Sequence, residues 1–137
     1  MDQGGGPDAT ASLDANIVVR LVIGDGGDHA LRARTFLASG TSLQLTGVVA
    51  AEIVHVLRSV YGQPREEIAE TLRELLALAN VATDPDEALA ETIDFYATSG
   101  IDFVDANLAA RAERAGMRIA SFDTDFDRIP TIKRLSP

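Results

Sequence analysis

Short apolar runs of strand length recur along the chain, separated by longer segments whose apolar residues return every third or fourth position. Strands alternating with helices in this way imply a parallel sheet covered on both faces, since parallel neighbours need a crossover rather than a hairpin. The clearest helix is "PREEIAETLRELLAL", with Pro64 at a first-turn position and Ile68, Leu72, Leu75 and Leu76 in one stripe. In "GVVAAEIVHVLRSVYG", Val49, Ile53, Val56, Leu57 and Val60 keep helical spacing until Gly62 closes the pattern. Asp28 caps a third helix, "HALRARTFLAS", which stops at Gly40. "PDEALAETIDFYATSG" opens with acids and ends at Gly100, and "DFVDANLAARAERAG" starts on Asp102 as N-cap and ends at Gly116. "ATASL" running into Asp14, "TSLQLT" over 41–46 and "MRIASF" read as strands, with a short apolar "NVAT" between the middle helices. The block "ANIVVRLVI" has a length that suits a strand or a helix. The expected fold is a three-layer α/β/α sandwich around a mainly parallel sheet.

At 137 residues, without an internal repeat, the chain is expected to form one domain over 12–137, preceded by a Gly-rich, polar leader over 1–11. The absence of cysteine excludes disulfides and thiolate metal sites, so any metal is held by oxygen or histidine. No run reaches the roughly 18 apolar residues of a membrane span, and the N-terminus lacks the marks of a secretory signal. A soluble, cytoplasmic protein is expected. Twenty-one acids against twelve bases give a net charge of −9, which opposes loose electrostatic binding to nucleic acid unless a metal ion or a local arginine cluster intervenes. An acidic chain also suits a basic partner.

In open parallel sheets ligands collect at the carboxyl ends of the strands. Asp14 ends the first strand and Asp123 ends "MRIASF", while Glu52 and Asp105 are expected in the first turns of helices leaving the same rim. Crowded carboxylates raise one another's pKa unless a cation sits among them, and all-oxygen ligands favour Mg²⁺ or Mn²⁺ over zinc. Each acid also has a plainer reading. Asp102 and Asp105 suit a helix N-terminus, and Asp14 suits the start of a turn or helix. Glu52, the one charge inside "VVAAEIVHVL", is expected to need a partner. His55 reads as a packed or half-exposed side chain rather than a ligand.

Rival readings of "DTDFD" fare worse. A calcium loop starting at Asp123 needs glycine at its sixth position and glutamate at its twelfth, where this chain has Arg128 and Arg134. A phosphotransferase aspartate pair is expected near the start of its fold, not the end. "GDGGD" fits no phosphate cradle and reads as a turn, and neither a Cys nor a Ser triad is visible.

The stretches "LDANIVVRLV", "VVAAEIVHVLRSVYG", "DFVDANLAARAERAG" and "IASFDTDF" together resemble the successive motifs of PIN-domain ribonucleases, specifically the VapC-type toxins of type II toxin–antitoxin systems. The resemblance runs from Ser12 to Leu135. It implies that Asp14, Glu52, Asp105 and Asp123 are the catalytic, metal-holding acids, with Asp125 a further outer ligand, Asn16 and Ser121 in support, and Asp127 a solvated loop charge. Ser121 stands where the family more often has threonine, and His55 where many relatives carry an aromatic. The implied activity is Mg²⁺-dependent endonucleolytic hydrolysis of RNA, with Mn²⁺ as a substitute. The implied partners are an RNA substrate, a cognate antitoxin with a basic inhibitory tail, and a second copy of the chain in a homodimer. The alternative is a catalytically silent module of the same fold whose acidic cleft docks a basic segment.

Overall fold

The computed structural model describes residues 11–24 and 26–137. Apart from Ala11, the expected leader lies outside the described residues. The elements are β1 (Ala11–Ser12), α1 (Ala15–Ile23), α2 (Asp28–Ala38), β2 (Leu43–Gln44), α3 (Gly47–Ser59), α4 (Arg65–Ala77), β3 (Val81–Ala82), a 3₁₀ turn (Pro85–Glu87), α5 (Leu89–Ser99), α6 (Phe103–Ala115), β4 (Ile119–Ala120), a second 3₁₀ turn (Thr124–Arg128) and β5 (Arg134–Leu135). They fall into two compact units, the first reaching Thr83 and the second running from Asp84 to Pro137. The fold is α/β with parallel strand pairing, as the alternation of strands and helices requires. Among the described residues no helix is long and apolar enough to cross a membrane.

In the first unit β1, β2 and β3 lie side by side in that order, all parallel, with Ala11 opposite Leu43 and Leu43 opposite Val81. The ladder continues past the named strands: Leu13 donates to the Gln44 carbonyl at 2.9 Å and Leu45 to the Ala82 carbonyl at 2.9 Å. Leu13, Leu43 and Leu45 are accordingly buried. "ANIVVRLVI" is a helix, because Ala15, Val18 and Val19 meet the core at helical spacing. Gly24 closes it at φ 44°, a left-handed conformation that costs glycine little.

Three first-unit expectations shift. Gly27, in extended backbone, is the N-cap of α2, so Asp28 stands in the first turn and pairs with Arg32 one turn on, at 3.8 Å. Thr46 caps α3, its hydroxyl accepting the Val49 N–H at 3.3 Å, and the buried stripe is Ala50, Ile53, Val54 and Leu57. Val49 and Val56 are only half-buried and Val60 is exposed. Pro64 is the N-cap of α4, ahead of the first turn, where its missing N–H leaves nothing unpaired, and Ile68, Ala69, Leu72 and Leu75 are buried.

In the second unit β4 and β5 pair in parallel, with Ile119 opposite Arg134. Strand β5 carries no apolar alternation in "KRLSP" that would announce it. "PDEALAETIDFYATSG" is not one helix. Asp84 accepts the Asp86 N–H at 2.9 Å and caps the short 3₁₀ turn, after which Ala88 takes a left-handed φ of 51° and α5 begins. That unfavourable conformation is held from two sides. The buried Thr92 hydroxyl donates to the Ala88 carbonyl at 2.7 Å, while the Asn107 amide donates to Thr92 Oγ1 at 3.0 Å and to the Glu87 carbonyl at 2.9 Å. Tyr96 of α5 meets Phe103 of α6 edge to face, with ring centroids 5.7 Å apart.

Candidate active site

In the first unit, neighbouring parallel strands β1 and β2 pass the chain to α1 and α3, so both helices begin on the carboxyl side of the sheet. Asp14 is the N-cap of α1, yet its side chain makes no capping bond and is exposed. Glu52 lies in the second turn of α3, one turn later than expected. It does not need a buried partner, because α3 turns Ile53 and Val54 inward and Glu52 to solvent. His55 is exposed as well. Asn16 lines an open groove of about 800 Å³ between α1 and α2, together with Arg20, His29, Arg32 and Phe36.

In the second unit, Asp105 occupies the first turn of α6, half-buried, and Asp123 lies three residues beyond the end of β4, after exposed Phe122, as the N-cap of the second 3₁₀ turn. The Asp105 carboxyl is pushed above its ordinary pKa, first by partial burial and then by the charges of Asp102, Asp123 and Asp125. The sequence-derived acids Asp105 and Asp123 thus feel each other. Asp123 Oδ1 accepts the Asp125 N–H at 2.8 Å, and the Asp123 N–H donates to Ser121 Oγ at 2.9 Å. Asp125 pairs with Arg128 at 3.3 Å, and Arg128 Nη1 donates to the carbonyl of Gly100, the residue that ends α5.

Asp127 is more than the solvated charge expected of it. Its two oxygens accept Arg134 Nε at 3.0 Å and Nη2 at 3.1 Å, and Arg134 Nη1 donates to the Ser121 carbonyl at 3.1 Å. This pairing holds the Asp127 carboxyl below its usual pKa and raises that of Arg134. Sequence reading meets Arg134 only as the residue that breaks a calcium loop; its pair with Asp127 joins a turn to a strand, and no single element's periodicity places the two together.

Among the described residues neither unit by itself gathers three His, Asp or Glu side chains into a group able to hold a metal ion. Each unit does hold two of the four acids: Asp14 at the N-cap of α1 and Glu52 in the second turn of α3, Asp105 in the first turn of α6 and Asp123 at the N-cap of the second 3₁₀ turn. An all-oxygen donor set suits a hard divalent cation, and the raised pKa of Asp105 reflects partial burial first and then the nearby carboxylates, whose repulsion such a cation relieves. Residues 11–132 match the PIN domain. The chain belongs to the PIN-domain family. No curated protein matches it. PIN domains are typically metal-dependent nucleases, so the family supports a nuclease reading of the chain. In this PIN domain the matched span takes in Asp14, Glu52, Asp105 and Asp123 and ends before Arg134.

Proposed function

We propose that this PIN-domain protein is a Mg²⁺-dependent endoribonuclease and the toxin of a toxin–antitoxin pair, acting in the cytoplasm as a homodimer. The reading is carried by one observation: a PIN-domain match that contains all four acids, of which Asp105 and Asp123 already share an electrostatic field that a cation relieves. Asp14, Glu52, Asp105 and Asp123 hold the metal, which supplies Lewis-acid polarisation of the phosphate and a more acidic water. Asn16 and Ser121 support Asp14 and Asp123, and Asp125 acts from the outer shell. Within a chain of net charge −9, Arg20 and Arg32 beside Asn16 give the phosphate backbone a local cationic contact. The antitoxin supplies a basic tail that meets the same carboxylates.

Purified protein incubated with total RNA and Mg²⁺ is expected to cleave it. Asp14→Asn or Asp123→Asn should reduce cleavage by roughly 100-fold or more, since removal of outer-shell groups alone costs about 10- to 100-fold. Full activity in either variant, or in excess EDTA, rules this function out.

A further inference from the structure

The turn after β4 is tied at both ends by a single side chain. Arg134 donates through Nε and Nη2 to the two oxygens of Asp127 and through Nη1 to the carbonyl of Ser121, at 3.0, 3.1 and 3.1 Å. Between those anchors stands Asp123, whose N–H is held by Ser121 Oγ and whose Oδ1 is held by the Asp125 N–H. One rigid, planar cation therefore spans the segment from Ser121 to Asp127. Its setting differs from that of the other arginine pairs of this unit: the Arg134 side chain is 17% exposed, against 50%, 46% and 54% for Arg111, Arg114 and Arg128. Exposed pairs contribute little; here Asp127 is itself 53% exposed, and what fixes geometry is the bidentate fork of a largely covered guanidinium.

Resting on the metal-nuclease reading above, we propose that Asp127 and Arg134 are positioning residues, a clamp that sets the direction in which Asp123 presents its carboxylate to metal. Asp123 Oδ1 accepts the Asp125 N–H, so the conformation of the turn decides how the Asp123 carboxylate would face a cation. Lysine, a point charge on a flexible stem, cannot reproduce the three-way fork.

The test is Mn²⁺ affinity of the full chain by calorimetry, read beside RNA cleavage and Tm. Arg134→Gln and Asp127→Ala should each weaken Mn²⁺ binding about 10- to 100-fold, with Arg134→Lys between them and the native protein. The double variant should lose little more than either single one, because both remove the same clamp. Arg114→Gln, which breaks the exposed 3.0 Å pair with Glu91, should leave Mn²⁺ affinity unchanged. Should Arg134→Gln fail to fold, Arg134→Lys and Asp127→Asn carry the same comparison. Folded clamp variants that bind Mn²⁺ like the native chain overturn the proposal, as does full rescue by lysine. Asp123→Asn separates the two levels: if it loses Mn²⁺ while the clamp variants keep it, only the clamp is wrong; if it keeps native affinity, the metal site and the clamp both fall.

Discussion

Asp105 and Asp127 are two carboxylates of one unit moved in opposite directions, and their pH dependences oppose each other. The folded-state pKa of Asp105 is raised, so the folded chain binds that proton more tightly than the unfolded one, and metal-free stability should increase as pH falls through the Asp105 pKa towards the ordinary carboxylate value. The folded-state pKa of Asp127 is lowered, so its stabilising contribution is complete above the ordinary value and disappears only as pH falls below it. Without metal, the Tm measured in EDTA should therefore be higher in mild acid, above the ordinary carboxylate pKa, than at neutral pH. Asp105→Asn should raise the neutral Tm and flatten that dependence, while reducing cleavage by roughly 100-fold or more. A variant whose Tm falls in EDTA would show that the Asp105 carboxylate stabilises the fold rather than straining it.

At the scale of elements, the junction of the 3₁₀ turn with α5 depends on two side chains that buffer a left-handed alanine. Thr92→Val keeps the volume of Thr92 but deprives the Asn107 amide of a buried acceptor, and should cost about 1–3 kcal/mol in urea unfolding. A loss within error would place the restraint on Ala88 elsewhere. This junction also shows where sequence reading stops. Acids followed by apolar spacing announce a helix over "PDEALAETIDFYATSG", but the break at Ala88 is made by Asn107, a contact that crosses from another helix. Periodicity sees neighbours along the chain and is blind to such cross-links. The helix α6 was legible for the opposite reason, since its start at Asp102 and its stop at Gly116 stand where the local signals put them, and α4 by its apolar stripe. "ANIVVRLVI" stayed ambiguous because its length suits either element and only two polar residues, Asn16 and Arg20, mark a phase. For the site, the order of the four acids along the chain was legible; the clamp was not, because Arg134 belongs to a two-residue strand whose only mark is its pairing with β4.

For the molecule as a whole, the net charge of −9 and the proposed inhibitory tail make a linkage statement. If an antitoxin arginine pairs with carboxylates that otherwise hold metal, inhibitor and Mg²⁺ compete, and raising Mg²⁺ must weaken the complex beyond the screening given by NaCl of equal ionic strength. Calorimetry at fixed ionic strength checks this. An affinity indifferent both to Mg²⁺ and to Asp14→Asn would move inhibition away from the acids. The parallel strands carry a different consequence, for the order in which the chain assembles. Ile119 has only to find Arg134, across one turn and a short connection, whereas Ala11 must find Leu43 and Leu43 must find Val81 across intervening helices. Each doubling of such a separation adds about 0.6 kcal/mol of closure entropy, so the second unit has the lower entropic threshold. In pulse-labelled hydrogen exchange during refolding, the amides of Ile119 and Ser121, which donate to Lys133 and Leu135, should gain protection before those of Leu13, Leu43 and Leu45. Simultaneous protection of both sets would mean that the two units nucleate together. In the expected order, the clamp on Asp123 closes while the sheet that leads to Asp14 is still forming.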